Sequence, residues 1–272
     1  MLGSIFLLGY VLAGGEPNLR GLAAFLILHV CLYGGTTAFN SYYDRDEGPV
    51  GGLAAPPPVR EELLPFSLGL QFLGLLLAAW IGIDFWATYA AIFLLGIGYS
   101  IPEVRWKGRP WPSVLVVSIG QGVLGFDAGA SVIRGDRTLI GDPVLALGAL
   151  LAALITTGIY PLTQIYQIEE DAARGDRTFA VAYGPQACFR LSLALLGLAG
   201  ILAVVLFWIW FAAWQAVVAG VFVLAVWLRI LLWSRRYDPS DPVRTMRRTM
   251  LLAYATSGGF GLFLLARLLD VI

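Results

Sequence analysis

Apolar stretches of about 20 residues follow one another along the whole chain, and each is long enough to cross a bilayer as a helix. They cover roughly residues 2–14, 19–43, 62–81, 84–102, 112–133, 140–167, 187–210, 212–234 and 246–269. Hydrophobic residues make up 58% of the sequence and charged residues 13%, which leaves too little polar surface to coat a soluble protein. We therefore predict an all-α, polytopic membrane helix bundle of about nine transmembrane helices around a central cavity, built as a single domain over residues 1–272. Because the first stretch is short, the number of spans is either nine or eight.

Charged residues concentrate in the connectors that follow the second, fourth, sixth and eighth stretches, which share one side of the membrane. Fourteen of the 18 Lys and Arg residues lie on that side, whereas the opposite side has Arg20, Arg134, Arg137 and Arg267. The excess of basic residues predicts that the charged side is cytoplasmic. The N-terminal stretch lacks the basic region and cleavage site of a signal peptide, so we expect an integral protein of a prokaryotic plasma membrane.

Several classes of function receive no support from the sequence. Net charge is zero, no basic patch is interleaved with aromatic residues, and we expect no nucleic-acid partner. The chain contains no GxxxxGK[ST] phosphate loop, no HExxH motif and no Cys/His spacing typical of a metal site. Cys31 and Cys188 are expected as small buried residues, and His29 as a hydrogen-bonded packing residue.

The second apolar stretch ends in the polar sequence NSYYDRDEG, residues 40–48. Asn40 and Asp44 are spaced i, i+4 and therefore share one helical face. An ordinary cytoplasmic boundary favours Lys and Arg over acids, so this pair indicates a site. Asp46 and Glu47 either belong to the same site or are solvated acids at a frayed helix end.

The sixth apolar stretch ends in a similar way, in YQIEEDAARGDRT, residues 166–178. Gln167 and Asp171 repeat the amide-then-carboxylate spacing, and Gly175 is a candidate helix stop before Asp176. Two such helix ends on one side of the membrane can face each other across a cavity. Carboxylate and amide oxygens suit Mg²⁺, which binds through a few carboxylates, several waters and substrate phosphates.

Two further sets of charged residues have open interpretations. Arg105, Lys107 and Arg109 follow the fourth stretch, where they either anchor the helix at the membrane surface or share the charge of a bound diphosphate. Asp127 lies inside the fifth stretch. A carboxylate at that depth either marks a functional cavity or is neutral and hydrogen-bonded to another helix.

Together these segments resemble the UbiA-type intramembrane prenyltransferases over nearly the whole chain. That family usually carries N-D-x-x-D-x-x-x-D after its second helix and D-x-x-x-D after its sixth. Here the first motif is similar to residues 40–48 and the second to Gln167–Asp171, followed by the family-like ARGDRTFAV. The stretch YSIPEVRWKGRP, Tyr99 to Pro110, looks like the basic loop of the family after helix four.

The resemblance implies a reaction in which Mg²⁺ binds an isoprenyl diphosphate and the allylic cation then alkylates a hydrophobic or aromatic acceptor beside membrane lipids. The implied metal ligands are Asn40, Asp44, Asp46, Glu47, Asp171 and Asp176. Arg105, Lys107 and Arg109 would help the diphosphate to leave. The implied substrate-binding residues are Asn40, Tyr99, Asp127, Gln167 and Arg177.

The chain departs from the family pattern at Ser41, Gly48 and Gln167, where the family usually has Asp. Neighbouring acids can substitute only where the helix has already ended, since a shift of one or two residues rotates a helical side chain by about 100–200°. Two alternatives therefore stay open. One is a diverged member with cyclase-like chemistry. The other is a non-enzymatic lipid-binding or transport protein with a polar path along Asp127.

Overall fold

The computed structural model describes residues 2–135, 139 and 141–271. Arg137, which was counted above on the less basic side, lies outside the described residues. Within the described part of the chain, every regular element is a helix, and eight helices are long and apolar enough to cross a membrane. A ninth apolar helix, at the N-terminus, is shorter. The prediction of an all-α membrane bundle is therefore confirmed, and the short ninth helix is the first predicted stretch.

The helices are numbered here in chain order, and a helix that contains a π-helical turn is counted as one. Their bounds are α1 Leu2–Leu12, α2 Leu19–Asp44, α3 Leu63–Ile81, α4 Ile83–Ser100, α5 Pro110–Ala130, α6 Pro143–Gln164, α7 Ile168–Arg174, α8 Phe179–Tyr183, α9 Pro185–Trp210, α10 Ala213–Arg235 and α11 Pro242–Leu268. The π-helical stretches are Ile27–Gly34 in α2 and Ser118–Val123 in α5.

Side-chain caps fix where several of these helices begin. Asn18 accepts a hydrogen bond from the backbone N–H of Gly21 at the start of α2. Asp142 and Asp241 cap α6 and α11 in the same way, and each is followed by a proline at the first helical position. Such caps satisfy N–H groups that have no partner inside the helix, and proline loses nothing there.

Close packing of α1 against α5 depends on a reciprocal pair of glycines. A Cβ on Gly9 of α1 would overlap the carbonyl oxygen of Phe126 on α5, and a Cβ on Gly129 of α5 would overlap that of Phe6 on α1. Small residues of this kind let two membrane helices approach to backbone contact. The contact joins α1 to the buried core that includes Phe126.

The ends of α2, α4 and α6 meet at one end of the bundle. Ser100, the last residue of α4, donates a hydrogen bond to Asn40 of α2 over 2.9 Å. The hydroxyl groups of Tyr99 on α4 and Tyr160 on α6 lie 2.8 Å apart. Tyr237, in the connector after α10, donates to the carbonyl of Ile165 just beyond α6 over 3.4 Å. The charged connectors are therefore gathered on one face, as their positions in the sequence predicted.

Candidate active site

The first acidic motif bends into the site because α2 ends early. Asp44 is the last helical residue, and Arg45 adopts a left-handed conformation with φ 50°. On a continuing helix Asp46 would point about 200° away from Asp44. With the helix broken at Arg45, both carboxylates line the same cavity.

The second acidic motif is interrupted by a different break. The structure ends α6 at Gln164 instead of residue 167, and a separate short helix, α7, carries Asp171. Gly175 then ends α7 with φ 87°, a conformation that costs glycine little. The chain turns back so that the N–H of Asp176 donates to the carbonyl of Asp171 over 2.9 Å. Asp171 and Asp176 consequently line the cavity together.

The cavity has a volume of about 100 Å³ and lies where the two motifs meet. Its wall combines carboxylates, amides, hydroxyls and basic groups. The lining residues are Asn40, Asp44, Asp46, Val50, Tyr99, Lys107, Tyr160, Thr163, Gln164, Gln167, Asp171, Arg174, Asp176 and Thr178.

The loop between α4 and α5 brings two basic side chains onto these acids. Lys107 is buried, and its Nζ donates to Oδ1 of Asn40 over 2.7 Å and to Oδ1 of Asp44. Burial lowers the pKa of Lys107, and the neighbouring Asp44 opposes that shift. Arg105 holds Asp176 by two hydrogen bonds of 2.6 Å each. One loop therefore binds a carboxylate from each motif.

Arg174 is the residue of the site that the sequence analysis missed. Its guanidinium donates to Oδ1 of Asp46 over 2.6 Å. It also lies 3.5 Å from Asp44, 3.6 Å from Asp171 and 3.8 Å from Asp176. Arg174 thus stands among all four carboxylates of the cavity. Its spacing of i, i+3 from Asp171 on a short helix was the available signal.

The donor set of this cavity fits a divalent cation. Among the described residues no three acidic, histidine or cysteine side chains are arranged as a ready metal site, and Arg105, Lys107 and Arg174 hold the carboxylates in ion pairs. Burial raises the pKa of Asp171 to about 7. Burial and the nearby Asp44 also raise the pKa of Asp46. Crowded carboxylates in a poorly hydrated site are stabilised by a cation, and hard oxygen ligands suit Mg²⁺.

Comparison with known proteins agrees with the fold and the motifs. The model of the UbiA prenyltransferase family matches residues 2–256. The chain belongs to the UbiA prenyltransferase family. It is therefore an integral membrane protein of a family of prenyltransferases.

Two pigment-synthesis enzymes are similar to this chain at less than 30% identity. The chain is 24% identical over 177 residues to the bacteriochlorophyll synthase 33 kDa chain of Rhodobacter capsulatus, covering 61% of this chain and 58% of that one. It is 28% identical over 190 residues to a chloroplastic chlorophyll synthase of Avena sativa, covering 62% and 46%. The matched region thus spans about half the length of these relatives.

Solved structures share the fold over nearly the whole chain. A UbiA homologue from Archaeoglobus fulgidus, bound to DMAPP and Mg²⁺, has a TM-score of 0.68 at 21% identity and covers 97% of this chain and 96% of that chain. A structure of digeranylgeranylglyceryl phosphate synthase has a TM-score of 0.65 at 16% identity and covers 96% and 92%. At these identities the likeness shows the fold.

In this UbiA family member, Glu170 occupies the space beside Gly48, where the motif usually has an acid. The Oε1 atom of Glu170 accepts hydrogen bonds from the backbone N–H groups of Glu47, over 2.8 Å, and Gly48, over 3.4 Å. A Cβ on Gly48 would lie 2.6 Å from Oε2 of Glu170. The glycine in motif one and the extra acid in motif two are therefore spatially complementary.

Apart from Asp127, the predicted site residues divide into two groups. Asn40, Asp44, Asp46, Tyr99, Lys107, Gln167, Asp171 and Asp176 line the cavity, and Arg105 binds its acids. Glu47, Arg109 and Arg177 are exposed at the surface of the connectors and do not line it.

Asp127 lies away from this cavity. Its carboxylate accepts a hydrogen bond from Thr88 of α4 over 2.6 Å. Thr88 is twelve residues from Ser100 along α4, which corresponds to about 18 Å at 1.5 Å per residue. The resemblance implied a substrate-binding role for Asp127, but Asp127 does not line this cavity. Its bond to Thr88 fits the other interpretation, a hydrogen bond to another helix.

Proposed function

We propose that this protein is a Mg²⁺-dependent prenyltransferase that moves an isoprenyl group from an isoprenyl diphosphate to a hydrophobic acceptor within the membrane. The observation that carries the proposal is the convergence of four carboxylates, from two separate motifs, with Arg105, Lys107 and Arg174 at one cavity. The bias of Lys and Arg toward this face supports a cytoplasmic position of the cavity in a prokaryotic plasma membrane.

The residues suited to hold Mg²⁺ are Asn40, Asp44, Asp46, Asp171 and Asp176. Bound there, the metal would neutralise charge on the diphosphate as it leaves. The basic side chains now paired with these carboxylates would become available to phosphate oxygens, which arginine binds through two N–H groups at once. This exchange of partners explains why acids and bases share one small cavity.

The transfer breaks the bond between the first prenyl carbon and the diphosphate oxygen, and the electron pair leaves with the diphosphate. The acceptor then forms a new bond to the same carbon and releases its proton. Tyr99 and Tyr160 line the cavity with their hydroxyl groups bonded to each other. Aromatic rings near the reacting carbon stabilise positive charge through cation–π attraction.

The similar proteins give more specific support for the prenyl donor than for the acceptor. Similar structures were solved with DMAPP or GPP together with Mg²⁺. The names of the relatives point to two acceptor classes, the tetrapyrroles of chlorophyll synthesis and a glyceryl phosphate. We propose tetrapyrroles as the first class to assay, because the curated relatives share it, with glyceryl phosphates and aromatic acids as the comparison.

The first test is binding of a non-reactive geranylgeranyl diphosphate analogue to purified protein, with and without Mg²⁺. Asp44→Asn and Asp171→Asn should each weaken Mg²⁺-dependent binding by at least about tenfold, since even indirect partners of a metal contribute that much. Asp238→Asn is the matched control, because Asp238 is exposed in the connector after α10 and, among the described residues, accepts hydrogen bonds only from Ser240.

Analogue binding that ignores Mg²⁺ and both substitutions would contradict the proposal. If binding behaves as expected, product formation with each acceptor class then identifies the second substrate. Loss of product with retained binding in every acceptor assay would point to the cyclase-like alternative.

A further inference from the structure

An apolar groove with a basic end separates α10 from α11, and it shares no lining residue with the carboxylate cavity. α10 packs along α9, and α11 packs along α1. The groove between them has a volume of about 500 Å³. Its lining residues are Phe222, Ala225, Val226, Arg229, Ile230, Leu232, Trp233, Arg236, Arg248, Leu251, Leu252 and Ala255.

The groove continues into a second apolar cavity. Phe222 and Val226 line both spaces. The second cavity has a volume of about 220 Å³ and is bounded by α6, α9, α10 and α11, with Ile155, Ala199 and Phe260 among its walls. A flexible hydrocarbon chain that entered along the groove would therefore find continuous apolar surface toward the middle of the bundle.

Two of the groove arginines lie inside the membrane-spanning helices. Arg229 is six residues before the end of α10, and Arg248 is six residues after the start of α11. Each is about 9 Å from the end of its helix at 1.5 Å per residue. Arg236 stands at the mouth, just beyond α10. Arginines near helix ends extend toward the membrane interface, where the anionic headgroups of lipids lie.

No described carboxylate pairs with any of these three arginines, in contrast to the arginines of the carboxylate cavity. The acids of the nearest connector are already engaged. Asp238 accepts hydrogen bonds from Ser240, and Asp241 caps α11 and lies 3.3 Å from Arg244. The described chain therefore leaves these three guanidinium groups available to an anion from outside it.

We propose that the groove binds an anionic phospholipid, with its phosphate at Arg229, Arg236 and Arg248 and one acyl chain along α10 and α11. Three unpaired cations at the end of an apolar groove complement a net negative headgroup attached to a hydrocarbon chain. A zwitterionic headgroup would bring its own cation to the same place. The site shares no lining residue with the carboxylate cavity, and the inference does not depend on the proposed enzymatic activity.

The lipid would brace the helices that support the second acidic motif. Thr249 of α11 donates a hydrogen bond to the carbonyl of Leu162 near the end of α6 over 3.3 Å. Tyr237 does the same at Ile165. A ligand that holds α10 and α11 together therefore stabilises the helix end from which α7 begins.

The test measures binding of phosphatidylglycerol and of phosphatidylcholine to detergent-purified protein by native mass spectrometry, and the melting temperature with each lipid. Phosphatidylglycerol should bind and raise the melting temperature more than phosphatidylcholine. Arg229→Gln combined with Arg248→Gln should weaken phosphatidylglycerol binding by about tenfold or more, given the contribution of each basic residue beside an anionic lipid.

The matched control is Arg235→Gln combined with Arg247→Gln. These arginines lie on the same two helices and the same side, are exposed, and do not line the groove. Arg229→Lys combined with Arg248→Lys should retain most of the binding, which distinguishes lost charge from misfolding. Equal losses in the groove and control pairs, or equal binding of the two lipids, would overturn the proposal.

Further measurements identify which molecule occupies the groove. Ala225→Trp, which fills the apolar part of the groove without changing charge, should also weaken phosphatidylglycerol binding. Inorganic phosphate should leave the melting temperature unchanged, and if it stabilised the wild type as well as phosphatidylglycerol does, the site would be a phosphate site and the lipid proposal wrong. Displacement of the lipid by geranylgeranyl diphosphate that persists in Asp44→Ala would assign the groove to the isoprenyl diphosphate and equally overturn it.

Discussion

Glu170 and Gly48 form a complementary pair. Substitutions at these two positions test whether the Glu170 carboxylate takes the place of an acid at position 48. Aspartate at position 48 would meet the Glu170 carboxylate at short distance and add a like charge. We expect Gly48→Asp to lower Mg²⁺-dependent analogue binding roughly tenfold, because overpacking costs about 1–3 kcal/mol. Removing the obstructing carboxylate with Glu170→Ala should recover most of that loss in the double variant.

A double-mutant cycle with the analogue provides the measurement, and the coupling between the two positions should be favourable. Glu169→Ala is the control, since Glu169 is exposed and carries the same charge one residue away. Additive losses at positions 48 and 170 would show that the two residues act independently.

At the scale of the helices, the ends that position the acids depend on two left-handed residues, Arg45 and Gly175. A β-branched side chain at Gly175 strains that conformation, whereas asparagine tolerates it. We expect Gly175→Val to weaken analogue binding by about fivefold to thirtyfold, from a backbone cost of about 1–2 kcal/mol. Gly175→Asn should stay close to the wild type. Because no atom lies within 4 Å of a Cβ at this position, a similar loss in both variants would contradict a conformational cause.

The sequence predicted the long helices well and their functional ends poorly, for a physical reason. Hydropathy reports the length of a span, and eight spans were predicted on that basis within a few residues of their observed bounds. Hydropathy does not predict the helix end at Gln164, because that end depends on local backbone conformation. It also placed the start of α11 at 246 instead of Pro242, since Arg244 lowers the average hydropathy of the first turn, which Asp241 caps.

In the candidate site, too, local spacing predicted some residues, and contacts between distant segments were missed. The i, i+4 pairs predicted which acids lie on helix ends, and the cavity contains both pairs. Arg174 was missed because an arginine in a connector is ordinary by composition, and its pairing with Asp46 spans 128 residues of sequence. Contacts of that separation depend on how the connectors fold over the bundle, which periodicity does not encode.

Considered as a whole, the molecule holds an acidic cluster in balance with basic groups, and that balance predicts its response to pH. The pKa of Asp171 is raised to about 7 by burial, so in metal-free protein this carboxyl carries a proton below that pH. Mg²⁺ must displace the proton to bind. For one proton with that pKa, Mg²⁺ affinity should rise about tenfold between pH 6 and 8 and then level off.

The stability of the metal-free protein should fall as pH rises, whereas Mg²⁺ affinity should increase. Because the folded pKa of Asp171 lies above the usual carboxyl value of 3.8, the stability that this group contributes is fully present below about pH 4 and is lost as pH rises through 7. Melting temperatures of metal-free protein should therefore fall between pH 5 and 8, while saturating Mg²⁺ should reverse the trend. Asp171→Asn should flatten both profiles, and Asp238→Asn should leave them unchanged. Parallel slopes in the presence and absence of Mg²⁺ would mean that the buried carboxylate and the metal do not share a site.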